Sequence, residues 1–252
     1  MRACLVSALL LVVAGANAAK LPSTWQTCVI NQPGTDACLA KNIQTAIHDL
    51  AVKGSPSLGV YPIDPLRVTK LSLSSGSGSF VLDLTFFDLD IFGLKNLNIE
   101  EVKSDIPNGV LKFSRGTIKS DLVLSGDYAV KGRLLVVPIG GTGRCNITLG
   151  NPVKVDGRLA LSKYKGPDGR TFARVDDFQF DFSQKTFTLN FHDKEIGGTA
   201  LGATLNRIAN DNSREILKDL KPAISNAFGQ AFQDIANRIL SKVPFNEVFP
   251  SK

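Results

Sequence analysis

The chain has 252 residues, 43% of them hydrophobic, with 29 Lys and Arg against 23 Asp and Glu and a formal net charge of +6. That length suits one sizeable domain with a substantial apolar core. The basic excess is small and spread along the chain, without a block of about five or more like charges, which excludes the footprint of a nucleic-acid-binding protein.

The first element is MRACLVSALLLVVAGANA, residues 1–18, with a basic Arg2, an apolar run from Leu5 to Ala14 and the small-x-small pattern Ala16-Asn17-Ala18. It reads as a secretory signal peptide, too short in its apolar run to span a bilayer. Residues 19–252 are then expected to be a single secreted domain. No later stretch reaches the roughly eighteen uninterrupted apolar residues of a membrane span, so no stable membrane insertion is expected. Cys4 leaves with the signal. Cys28 and Cys38 flank the turn residues Pro33-Gly34 and form the natural pair in an oxidising compartment. Closing so short a loop is worth roughly 2–3 kcal/mol on the chain-entropy estimate. Cys145 is left over, read either as a buried free thiol acting as a small apolar residue or as a reactive or intermolecular one.

From Thr35 to Lys53 the residues Leu39, Ile43, Ile47 and Leu50 recur at helical spacing, with Thr35 or Asp36 as the cap and Gly54 as the stop. GSPSLGVYPIDPLRV follows; its three prolines predict an ordered, extended loop. From Leu66 to about His192 the pattern is two-residue alternation, read as about eight antiparallel strands with one wet and one dry face. Phe80, Leu82, Leu84 and Phe86 share a face, and Phe87, Leu89 and Ile91 continue on the opposite parity, which predicts a bulge. Tyr128, Val130, Leu134 and Val136 alternate with Lys131 and Arg133. Val153, Val155, Leu159 and Leu161 form a further inward set, as do Phe178, Phe180 and Phe182, then Phe187, Leu189 and Phe191. Asn108-Gly109, Gly126-Asp127 and Pro167-Asp168-Gly169 read as hairpin turns. In RCNITLG, Cys145, Ile147 and Leu149 face one side. Asn146, in an Asn-x-Thr triplet, faces the other, as a glycan acceptor must.

The last third is helical. Leu201, Leu205 and Ile208 mark a short helix. Asn212 with Glu215 forms a capping box for a helix running to about Val243, with a kink or break expected at Pro222. Its stripe includes Ile216, Leu220, Ile224, Phe228, Phe232, Ile235 and Ile239. One long striped helix and a long antiparallel sheet predict an α+β fold, the curved sheet wrapped along the helix. Alternation alone fits a filled interior and a tunnel equally well.

Catalytic signatures are absent. His48 and His192 belong to no cluster, no Gly-x-Ser-x-Gly occurs, and no Cys or His spacing suits zinc. GTGRCN lacks a third glycine and reads as a loop between strands, not a phosphate cradle. Asp176-Asp177 are adjacent on a strand and point to opposite faces. The chain is expected to have no enzymatic activity, no cofactor and no metal.

Several stretches together resemble the secreted insect takeout and juvenile-hormone-binding proteins. They are Leu21-Pro22 with Trp25, Cys28 and Cys38-Leu39; LGVYPIDPLRV from Leu58; FFDLDIFGLKNLNI from Phe86; GDYAVKGRLLVVPIGGTGRCNITL from Gly126; DFQFDF from Asp177; and VPFNEVFP near the C-terminus. The resemblance implies a highly curved antiparallel sheet around a long C-terminal helix, a tubular lipid-binding architecture with a hydrophobic tunnel between them, and a Cys28–Cys38 disulfide. Ser213 stands where the family typically has an aromatic, and Cys145 has no partner where the hormone-binding branch has a second disulfide; these departures favour the takeout branch over juvenile hormone itself as the ligand. The implied function is a secreted carrier of an extended lipophilic ligand, terpenoid or fatty-acid-like. The alternative on the same architecture is a defence protein binding microbial lipid such as lipopolysaccharide. The expected partner is a small lipophilic molecule and the expected state a monomer. Candidate lining residues are Val136, Ile147, Leu159, Leu161, Phe180 and Phe187 on the sheet, with Ile224, Phe228, Phe232 and Ile235 on the helix. Tyr128 brings the one inward hydroxyl and is the candidate for a ligand's polar end; the other reading is a core tyrosine with its hydroxyl at the rim. Trp25 either closes a mouth or plugs the structure.

Overall fold

The computed structural model describes residues 19–75, 80–134, 136–193 and 206–251. The expected signal peptide and the helical positions Leu201 and Leu205 lie outside the described residues.

Helix α1 (Thr35–Val52) ends within a residue of its predicted stop. The Gly54 amide donates to the Leu50 carbonyl at φ +66°, a left-handed closure that suits glycine. Its start differs from expectation. Gly34 occupies the cap position, the Thr35 hydroxyl donates to the Gln32 and Val29 carbonyls, and the Asp36 carboxylate accepts from the Ser104 amide and hydroxyl.

Among the described residues ten strands follow: β1 (Leu66–Ser75), β2 (Phe80–Phe92), β3 (Leu97–Asn98), β4 (Glu101–Asp105), β5 (Val110–Ile118), β6 (Leu122–Leu134), β7 (Val137–Leu149), β8 (Val153–Lys165), β9 (Thr171–Ser183) and β10 (Phe187–Asp193). They form two five-stranded antiparallel sheets rather than one. The first runs β1-β2-β6-β7-β10; in the second, β3 and β4 both pair with β5, and β8 and β9 complete it. The short β3 and β4 carry too few residues for alternation to register, which is why about eight strands were expected.

The parity slip in β2 is real. The register against β6 shifts between Phe87 and Asp90, and Asp88 takes φ +46°. Inward parity resumes at Leu89, not at Phe87, which is 40% exposed. Gly126 lies opposite the bulge, where an added Cβ would stand 2.9 Å from the Leu89 Cα. Gly126-Asp127 is therefore the interior of β6 and not a turn; the glycine is there because another strand crosses it closely. GTGRCN likewise falls inside β7. Asn108-Gly109 and Pro167-Asp168-Gly169 do join consecutive strands.

A helical segment at 206–211, α2, precedes the long helix α3 (Ser213–Leu240), and one turn, α4 (Phe245–Val248), comes near the end of the chain. α3 continues through Pro222 without a break and spans about 42 Å at 1.5 Å per residue. Asn212 holds the cap position, but its amide donates to the Ile208 carbonyl, so the capping box does not form. α3 is shared between the sheets: Ile216, Leu220 and Phe228 join the core of the first, and Ala236 and Leu240 that of the second.

Helix amides close the sheet edges. Asn210 accepts from the Leu189 amide at 2.8 Å and donates to its carbonyl at 2.7 Å, and Asn206 does the same for Phe191, so edge strand β10 is capped. Asn237 pairs with both groups of Val175 on β9 at 2.8 and 3.0 Å, and Gln233 donates to the Val175 and Asp176 carbonyls. Gln44 of α1 bonds both Leu97 and Ile99 beside β3. These side chains satisfy backbone groups that an open edge would leave unpaired.

Candidate functional site

Two segments shared with the takeout resemblance meet in the fold. The Asp64 carboxylate of PIDPL accepts from the amides of Gly93 and Lys95 in GLKNL, both at 3.0 Å. This joint fixes the loop after α1, whose Leu58, Val60 and Ile63 are buried with Trp25 and Val243.

Between α3 and the sheets lie two cavities of nearly equal size. Chamber 1, about 320 Å³, lies under the first sheet and the N-terminal part of α3; chamber 2, about 330 Å³, lies under the second sheet, α1 and the C-terminal part of α3. Each sits near the lower end of the ~300–1,000 Å³ typical of small-molecule sites. Tyr128, Ile147, Phe187, Ile224 and Phe228 line chamber 1. Trp25, Leu159, Leu161, Phe180, Phe232 and Ile235 line chamber 2. Val136 lines neither: it is 88% exposed in the turn after β6. Its expected inward parity fails because β6 ends at Leu134, and alternation does not carry through a turn.

The chambers differ in polarity. Chamber 1 includes Lys70, Gln230 and Asp234, all solvent-exposed, which mark its opening between edge strand β1 and α3. Tyr128 is 2% exposed, with its ring 4.9 Å from that of Phe191. Chamber 2 is lined almost wholly by apolar side chains. Among its few polar residues, Asn42 donates to the Cys38 carbonyl at 3.0 Å and lies 3.4 Å from both disulfide sulfurs. The Cys28–Cys38 bond itself is formed, with Cα atoms 5.8 Å apart. Trp25 is 8% exposed, and its indole N–H donates to Asp49 at 3.1 Å. The Thr24 hydroxyl, at 2.7 Å, and then this indole hold the Asp49 carboxyl below the usual carboxylate range.

Sequence reasoning missed the contribution of α1, whose Leu39, Ile43, Ile47 and Leu50 line chamber 2; the stripe was legible, but not its use. It also missed β1 as a lip of chamber 1. The amide pairs Asn206/Asn210 and Gln233/Asn237, each one helical turn apart, were a signal available in the sequence.

Cys145 is fully buried, with Ile147 and Leu149 beside it on the inner face, and Asn146 half-buried on the outer face. Burial, and secondarily the Asp127 charge, push the thiol up to about 12. At pH 8 a maleimide is expected to leave Cys145 unlabelled until denaturant is added. Rapid labelling in native buffer would contradict its placement. Among the described residues no group of three or more His, Cys, Asp or Glu is arranged to hold a metal ion, and no helix is long and apolar enough to cross a membrane.

Two antiparallel sheets packed along one long helix, with apolar chambers between them, define the fold. Residues 6–250 match the haemolymph juvenile hormone binding protein family (JHBP), and the chain belongs to that family. The crystal structure of Epiphyas postvittana Takeout 1 superposes with a TM-score of 0.72 at 21% identity, covering 89% of this chain and 99% of that one. A putative beta-carotene-binding protein of Schistocerca gregaria is 24% identical over 227 residues, 90% of this chain and 88% of its own. The circadian clock-controlled protein daywake of Drosophila yakuba is 24% identical over 245 residues, 92% of this chain and 89% of its own.

Proposed function

We propose that the protein is a secreted, non-enzymatic carrier of lipophilic molecules, terpenoid or fatty-acyl in type. Residues 1–18 are removed on export, and residues 19–252 act as one monomeric domain. The observation that carries this reading is the pair of apolar chambers along α3, with charged lining confined to the β1–α3 opening. An amphipathic guest in chamber 1 would leave its polar end at Lys70, Gln230 and Asp234 or against Tyr128, and bury its hydrocarbon on Ile147, Phe187, Ile224 and Phe228. In chamber 2, hydrocarbon would contact Trp25, Leu159, Leu161, Phe180, Phe232 and Ile235. Burial of apolar area at about 25 cal/mol per Å² drives uptake, offset by immobilisation of the guest. The name of the Schistocerca relative supports an apolar guest.

Titration with the fluorescent fatty acid cis-parinaric acid tests the reading. Saturable uptake, displaced by a terpenoid alcohol and little affected by salt, is expected. Failure to take up the probe, with salt-sensitive capture of lipopolysaccharide in its place, would point to defence rather than carriage. Asn146, on the outer face of β7, is proposed to carry a glycan. Asn146→Gln is expected to remove a glycan's mass from the secreted protein and leave probe affinity unchanged; a large loss of affinity would place this side chain at the site.

A further inference from the structure

The two chambers share α3 as a floor, and where they meet, three phenylalanine rings stand between them. Phe180 of β9 lies 5.6 Å from Phe228 and 5.4 Å from Phe232 between ring centroids, and Phe228 lies 5.9 Å from Phe232. Phe228 faces chamber 1, while Phe180 and Phe232 face chamber 2, so the wall is about one ring thick. Beside the rings the α3 lining includes the small residues Ala227 and Ala231 in chamber 1 and Ala236 in chamber 2, with Ile224 and Ile235 lining the chambers on either side of the wall.

The backbone frame around the rings is fixed. A Cβ on Gly229 would overlap the Phe178 carbonyl, so α3 and β9 approach closely beside the wall. Lys221 pairs with Asp181 at 2.8 Å on one side, and Asn237 clasps Val175 on the other. With helix and strand held together, the wall opens only if the rings rotate out of mutual contact. That loses edge and tilted aromatic pairs and the packing behind them.

We propose that Phe180, Phe228 and Phe232 form a partition that sets the length of the guest: each chamber holds its own short apolar chain, and a chain too long for one chamber is discriminated against. This rests on the carrier reading and adds to it a limit on ligand length.

Saturated fatty acids from decanoate to eicosanoate, measured by native mass spectrometry and calorimetry, test it. The wild-type protein is expected to bind two decanoates, with affinity rising for each added methylene until one chamber is full and then levelling or falling. In Phe180→Ala the rise is expected to continue, with eicosanoate gaining at least tenfold over wild type as a single guest. Phe228→Leu, which keeps an apolar side chain in the core, is expected to shift the profile the same way by a smaller factor, and serves if Phe180→Ala does not fold. A wild-type protein that binds one eicosanoate with undiminished affinity, or a length profile unmoved in the folded variants, would overturn the partition while leaving the carrier reading intact. Absence of saturable binding by any of the acids to the wild-type protein would instead remove the carrier reading, and the partition with it.

Discussion

Phe232→Lys is expected to lower affinity for an apolar probe at least a hundredfold and to reduce stability by about 2–4 kcal/mol. The ring of Phe232 touches those of Phe178, Phe180 and Phe228 at centroid distances of 5.9, 5.4 and 5.9 Å and borders chamber 2. Removing a packed phenylalanine side chain typically costs about 3–5 kcal/mol, somewhat less for a half-buried one. The lysine stem recovers part of that packing, but its ammonium must either lose water among the rings or extend away from them. In either case the chamber presents a charge where hydrocarbon should lie. Phe232→Leu, by contrast, should lose stability without abolishing uptake. Urea denaturation and probe titration on the three proteins separate the effects. Unchanged uptake in Phe232→Lys would mean that this face of α3 does not meet the guest.

Asn237→Leu is expected to cost about 2–4 kcal/mol. The side chain is the partner of both the amide and the carbonyl of Val175, which is 1% exposed at an irregularity between β8 and β9. Leucine matches the shape and offers neither bond. The amide loses its partner, and the carbonyl keeps only the Gln233 amide at 3.0 Å. Each buried group left unpaired costs about 1–3 kcal/mol. A lower denaturation midpoint with unchanged slope is the expected signature. A loss under about 0.5 kcal/mol would mean that water or Gln233 replaces both bonds.

These residues also mark what the sequence could and could not convey. Period-two and helical patterns are local, so α1, the inward set Cys145, Ile147 and Leu149, and the bulge in β2 were legible before any coordinates. Gly126 was misread because glycine followed by aspartate satisfies a turn locally, while its actual reason, the Leu89 backbone passing over it, lies in another strand. Val136 was misread because parity was extended through a turn. The division into two sheets, the amide caps at Asn206, Asn210, Gln233 and Asn237, and the meeting of Phe180 with Phe228 and Phe232 all depend on contacts between segments distant in the chain. Periodicity has no access to these. The chamber-lining positions were foreseeable as inward-facing, but the space between them follows only from how far α3 stands from each sheet.

The most direct test of carriage is native mass spectrometry of the protein purified from its native source, followed by solvent extraction and identification of whatever is released. Small apolar molecules leaving with the unfolding of the chain, and rebinding to the stripped protein, are the predicted result. Repeated recovery of polypeptide without any apolar molecule, together with no rebinding of added fatty acid or terpenoid, would contradict it.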